Sequence, residues 1–352
     1  MPTHSPVSTA SVATSLEPPE TNPPHCMPTE GGICDEPPDL GELFRHAGWH
    51  RTRGLVYASL RRTRQSLARI DAFVNCGVNS YVYRSSSDPP EYRLGGSACH
   101  DRFCLPCAKY RGSVIAGNIL DYLKGKGARF VTLTLKQEHA PLSQTLDRLL
   151  SCFAYLRKTA FWRSKVYGGC ALLEIKLNSL ASTWNVHLHA LVTGKYLPQH
   201  DLSDVWRRVT GDSSIVDVRA VRSDAVVTRY VVKYVSKPLS NSFVNRPAYL
   251  DEAVQALHGR RLALTFGSWR GLSLSEAPTE GTWECIGSFH EVCSHAVDGD
   301  PESLEALQFI CGDCTPDVLE KTQSARPPPR PVPPTEPQLR FDWLTHLPPT
   351  RR

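Results

Sequence analysis

Two strand-like runs constrain this chain most: "GCALLEIKL" (169–177) and "WNVHLHALVTG" (184–194), separated by a polar stretch. Alternating apolar and β-branched residues at this separation predict an antiparallel hairpin. Its register decides which residues share a face, because strand side chains alternate. His187 and His189 then project together, while Val186, Leu188 and Ala190 face the core. Pairing about a turn centred near 181 brings Glu174 beside both histidines, with Leu173 and Ile175 turned inward. Two imidazoles and a carboxylate can hold a divalent cation and leave positions for water or a phosphate oxygen.

The flanking patterns give the hairpin a context. "RFVTLTL" (129–135) alternates as a strand, and residues 143–165 carry apolar residues at helical spacing. A helix over 202–211 ends at Gly211, and "SSIVDVRAV" (213–221) reads as another strand. Ser223 can cap a helix over 224–237, which Pro238 stops. The order is β-α-β-β-α-β-α. Its first six elements predict an α+β fold of the ferredoxin-like (RRM-like) kind, a central antiparallel sheet with helices on one face. That pattern leaves the other face open for a ligand. Upstream, residues 54–70 alternate arginine with apolar residues at helical spacing, and a helix is expected over 107–125.

A hydrophobic content of 41% in 352 residues is ample for a core, as one large domain or two. Net charge is only +5, but Arg45, Arg51, Arg53, Arg61, Arg62, Arg64 and Arg69 form an acid-free run up to Ile70. Such one-sign runs suit nucleic acid. Further charge comes from Lys136, Arg163, Lys165, Arg207, Arg208, Arg219, Arg222 and Arg229, and Trp184 and Trp206 could stack on bases. The start lacks a signal-peptide core, and no apolar run is long enough to span a bilayer, so an intracellular, cytoplasmic protein is expected.

In a reducing compartment cysteines serve metals before disulfides. Cys99, Cys104 and Cys107 form C-x4-C-x2-C, and Cys76 stands earlier before a glycine. Four thiolates would close a tetrahedral structural Zn2+ site, with His100 as a competing ligand. Cys285, Cys293, Cys311 and Cys314 are a weaker second set, and Cys152 and Cys170 read as core residues. The expected division is 1–40 disordered, 41–125 basic, helical and zinc-binding, 126–271 the sheet domain, 272–324 helical, and 325–352 a Pro-rich disordered tail.

"RYVVKYVSKP" (229–238) places Tyr230 and Tyr234 one helical turn apart, each followed three residues later by a lysine, Lys233 and Lys237. Alone, the pair suits packing. Beside a cation site, a phenol can attack a polarised phosphodiester, and lysine can meet the charge that develops on its oxygens. In the order "FVTLTL", "HLHAL", "YVVKYVSK" the chain resembles the HUH endonucleases. The two-tyrosine helix is similar to that of rolling-circle replication initiators of small phages and plasmids. "CHDRFCLPC" and "LHGRRLALTFGSWRG" (257–271) also resemble bacterial plasmid initiators, so the resemblance spans about 70 to 271.

The resemblance implies origin nicking in a bacterial cytoplasm with Mg2+ or Mn2+ at His187, His189 and Glu174. Tyr230 and Tyr234 would be the nucleophiles, assisted by Lys233 and Lys237. In single-tyrosine relatives a glutamate often stands four residues before the nucleophile; Tyr230 occupies that position here, which favours Tyr234 for first attack. Partners would be single-stranded and origin DNA and a host polymerase. No phosphate-binding loop motif is present, so the helicase would also be the host's. Two other readings are an HUH transposase (a relaxase order is reversed) and a non-catalytic, zinc-bearing module for single-stranded nucleic acid.

Overall fold

β-Branched and leucine-rich runs build a central antiparallel sheet from β3 (Ala128–Thr134), β4 (Val166–Asn178), β5 (Thr183–Gly194), β6 (Val216–Ala220) and β7 (Ala263–Gly267). These are the strands of a computed structural model, which describes residues 39–124, 126–221, 223–235, 241–275, 282–322 and 325. The expectations for residues 1–38 and 326–352, and for Lys237, lie outside the described residues.

Among the described residues three helices come first: α1 (Leu40–Arg45), α2 (His50–Arg62) and α3 (Leu67–Val74). A hairpin, β1 (Tyr81–Ser85) and β2 (Tyr92–Gly95), precedes α4 (Leu105–Leu123). Between β3 and β4 lie α5 (Leu142–Leu156) and α6 (Ala160–Lys165). α7 (Gln199–Thr210) joins β5 to β6, and α8 (Asp224–Val235) follows β6. Then come α9 (Asn241–Val244), α10 (Pro247–Ala256), β7, β8 (Trp283–Ser288), α11 (Phe289–Val297), α12 (Pro301–Cys311) and α13 (Thr315–Thr322).

The strand order is β6-β3-β5-β4-β7. β5 lies antiparallel between β3 and β4, so those two run the same way, the split βαβ arrangement. β7 extends that pattern by one edge strand. The segment 143–165 is two helices. Thr159 breaks it because its side chain accepts a hydrogen bond from the Trp162 backbone N–H and starts α6. Gly211, in the left-handed region at φ 85°, ends α7.

One face of the sheet carries Val131, Leu133, Leu173, Ile175, Val186, Leu188 and Ala190, all buried. α5 covers it through Leu142, Leu146, Leu149, Phe153 and Leu156, a stripe at three- and four-residue spacing. The other face is not open along its length. α4 and α8 pack over it, and Ile115, Ala116, Ile119, Val227, Val231 and Tyr234 join Phe130, Leu172 and Leu191 in a second core. Each fully buried aliphatic side chain there contributes about 1.5–3 kcal/mol. The expectation of helices on one face is thus corrected, because strand periodicity does not say how many layers cover a sheet.

Burial also removes both tryptophans from a stacking role. Trp184 and Trp206 are buried, and their indole N–H groups donate to Glu252 Oε2 (3.0 Å) and the Thr134 carbonyl (2.9 Å). Much of the arginine run is structural as well. Arg53 is buried and bonds Glu42 and the carbonyls of Phe73 and Val74. Arg45 is buried, Arg62 pairs with Asp251, and Arg69 pairs with Asp101. Arg51, Arg61 and Arg64 stay exposed.

A second sheet, β2-β1-β8, packs on α11, α12 and α13. β8 lies about two hundred residues from its partner β1, so a local pattern does not reveal it. Among the described residues no helix is long and apolar enough to cross a membrane.

Candidate active site and metal centre

The paired strands of the central sheet set the first constellation. Glu174 lies opposite His187 across the β4–β5 ladder, and Thr132 and Thr134 lie opposite His189 and His187 across the β3–β5 ladder. Thr132 Oγ1 is 3.1 Å from His189 Nδ1, and Thr134 Oγ1 is 3.0 Å from His187 Nδ1. With Nδ1 of each ring engaged by a hydroxyl, Nε2 is the atom each histidine can offer to a cation, an arrangement typical of ligating imidazoles. His189 Nε2 lies 3.0 Å from Glu174 Oε2, and both residues are buried. Lys176 reaches Glu174 Oε1 at 3.2 Å. The donor types fit a divalent cation. The three side chains are not drawn into one tight group, and the imidazole centroids stand 6.0 Å apart.

Sequence reasoning missed Thr132, Thr134 and Lys176. The signal was available as the "TLT" of β3, whose alternation matches "HLH", and as the residue two beyond Glu174 on the same face.

The helix α8 brings the tyrosines to this point. Its Val227 and Val231 pack against α4, which turns positions 230 and 234 toward the sheet. The Tyr230 ring stacks on Phe130 at 3.7 Å, and its hydroxyl is 3.2 Å from His189 Nδ1. The Tyr234 ring stacks on the His189 imidazole at 3.7 Å, and the two tyrosine rings are 4.6 Å apart. Burial first of all pushes both phenols above their ordinary value. For Tyr230 the Thr132 hydrogen bond opposes this; for Tyr234 the Glu174 charge adds to it. Both are therefore neutral at rest, and either would need a base or a cation to act as a nucleophile. Lys233 is exposed, with Nζ 5.2 Å from the Tyr234 ring centroid.

The second constellation is sulfur. Cys76, after α3, meets Cys99 and the residues Cys104 and Cys107 at the start of α4, with all four sulfurs within 4.8 Å of one another. Sulfur separations of 3.8 Å (Cys76–Cys104), 3.7 Å (Cys76–Cys107) and 3.6 Å (Cys99–Cys107) are far too long for disulfides. A tetrahedron of 2.3 Å Zn–S bonds has edges of about 3.8 Å, so the set fits a structural zinc ion. Asp101 organises the loop: its carboxylate accepts from the Phe103 backbone N–H at 2.8 Å and from Arg69 Nε at 2.6 Å. Arg45 donates from Nη2 to Cys107 Sγ at 3.3 Å. Burial works against its charge, but Cys76 and Cys107 hold the guanidinium above its ordinary value.

Among the described residues no other group of three or more ligand side chains is gathered so closely. His100 is exposed and lies outside the cluster. Cys285, Cys293 and Cys311 form no such group, and the Cys314 side chain lies outside the described residues. Cys170 is buried, and burial pushes its thiol up to about 12.

A family profile described as replication protein matches residues 94–299, which include the five-stranded sheet, the tyrosine helix and Cys99, Cys104 and Cys107. "Protein rep" of Staphylococcus aureus is 29% identical over 168 residues, covering 43% of this chain and 73% of that protein. No solved structure matches. The profile covers more than half of the chain, which therefore belongs to the replication protein family.

Proposed function

We propose that this chain starts rolling-circle replication by nicking one DNA strand at an origin, and ends it by rejoining the strand. A tyrosine oxygen attacks the scissile phosphorus, and the bond to the 3′ oxygen breaks. The products are a 5′-phosphotyrosine and a free 3′-hydroxyl, which takes up the phenol's proton. The reverse step, with a new 3′-hydroxyl attacking the phosphotyrosine, restores the phosphodiester. Tyr230 and Tyr234 would alternate, one holding the old 5′ end while the other takes the new one. The observation that carries this reading is the convergence of both phenols on His189, one by hydrogen-bond distance and one by ring stacking.

His187, His189 and Glu174 would hold Mg2+ or Mn2+, which when bound would polarise the phosphate and stabilise the charge it gains. Thr132 and Thr134 orient the imidazoles, and Lys233 and Lys237 would meet phosphate oxygens. Replication would draw helicase and polymerase from the host.

A binder without chemistry is the contrasting reading. It expects aromatic rings exposed on the sheet, whereas Trp184 and Trp206 are buried. Tiled single-stranded oligonucleotides from the replicon that encodes the chain separate the two. With Mn2+ a cleaved product and a covalent adduct are expected, both lost on chelation and in H187A/H189A. Retarded but uncut DNA would support the binder, and nicking that survives chelation would remove the cation from the scheme.

A further inference from the structure

The edge strand β7 pairs with β4 alone, and a basic pocket lies at each of its ends. The first, about 470 Å³, lies between α4 and residues 259–265 and is lined by Arg102, Arg111, Arg260 and Arg261. The second, about 400 Å³, is lined by Arg157, Lys158, Arg163 and Arg270. No acidic side chain lines either pocket. Arg260 is neutralised by Asp147 at 2.5 Å. The other seven cations make no ion pair among the described residues.

Two buried guanidinium atoms, Arg102 Nη1 and Arg157 Nε, have no hydrogen-bond partner there. Burial holds both groups below their ordinary value; for Arg102 the Asp101 charge opposes this and Arg111 adds to it, and for Arg157 Arg270 adds to it. Clustered like charges and unpaired buried donors each cost free energy, and an anion at the site relieves both. The surroundings say which anion. Leu262, Leu264 and Leu272 line the first pocket, and the ring of Tyr167, 55% exposed, flanks the second. Cations beside apolar and aromatic surface suit an unpaired strand, whose bases are available for stacking. The first pocket takes in Ala263, Leu264 and Thr265 of β7 and the second takes in Phe266 and Gly267, so together they line the whole strand, more than one phosphate occupies.

We infer that the β7 edge is a track for single-stranded DNA, separate from the tyrosine site. The track rests on the function proposed above for the kind of polymer it holds. Arg102 lies within the Cys99–Cys107 loop and donates to the Arg260 carbonyl at 2.8 Å, so the cysteine cluster shapes the first pocket.

The test is fluorescence anisotropy with an unstructured labelled oligonucleotide across a salt series. R111Q/R261Q and R163Q/R270Q change exposed residues at the two ends, and R84Q/K321Q removes the same charge from the small-sheet unit. Each track variant is expected to bind about tenfold or more weakly. Each should also lower the log–log salt slope by about 1.4, two contacts at roughly 0.7 each. The control should match the parent, and adduct formation at saturating oligonucleotide should persist in all three. Track variants indistinguishable from the control in slope and affinity would overturn the track while leaving nicking intact. The predicted slope changes without any adduct in the parent would leave the track standing and remove the nicking function.

Discussion

Y230F/Y234F is expected to form no covalent adduct with DNA under conditions where the parent chain converts it readily. The change deletes two oxygen atoms and little else. The rings keep their stacking on Phe130 and His189 at 3.7 Å, so the core between α4, α8 and the sheet should survive. What disappears is the atom proposed to bond to phosphorus, so no residual path through the phenol would exist and the loss should reach background. The single variants are more informative. If the tyrosines alternate, one variant should still cut but fail to pass the strand on, accumulating adduct and free 3′ ends. If a single tyrosine does both steps, the other variant should behave as the parent does. A parent-like adduct yield in the double variant would show that the nucleophile lies elsewhere.

C104S should lose bound zinc, from about one ion per chain to none, by metal analysis of the purified protein. Three sulfurs cannot close the tetrahedron, and structural sites couple ion binding to folding. The consequence should reach beyond the loop. Cys76 ties α3 to the start of α4, and α4 carries Ile115, Ala116 and Ile119 against the tyrosine helix. Thermal unfolding is therefore expected at lower temperature, and nicking should fall even at saturating Mn2+. Full zinc retention in C104S would remove Cys104 from the site. A zinc-free parent chain of undiminished stability would remove the site altogether.

The hairpin was legible because its information is local. Alternation in "NVHLHAL" and a short turn set the register that puts Glu174 opposite His187. The cysteine cluster was legible for a related reason, since three of its members fall within nine residues. What escaped depends on contacts far apart in sequence. β7 and β8 are short strands that exist only by pairing with β4 and β1. The covering of the second sheet face comes from α4 and α8 meeting across a hundred residues. The arginine run looked like a nucleic-acid surface because its partners, Asp101, Asp251 and the backbone carbonyls that end α3, lie outside it. The two pockets at β7 gather cations from the cysteine loop, α4, the α5–α6 connection, α6 and the flanks of β7, no two groups of which form a charge run.

The most direct test of the account is to quench a reaction of the chain with a cleavable single-stranded oligonucleotide and Mn2+, digest it, and locate the nucleotide adduct by mass spectrometry. A phosphodiester-derived mass is expected on the peptide that contains positions 230 and 234, on a tyrosine oxygen and with the DNA attached through its 5′ phosphate. An adduct on any other residue, or cleavage with free ends and no adduct at all, would contradict it.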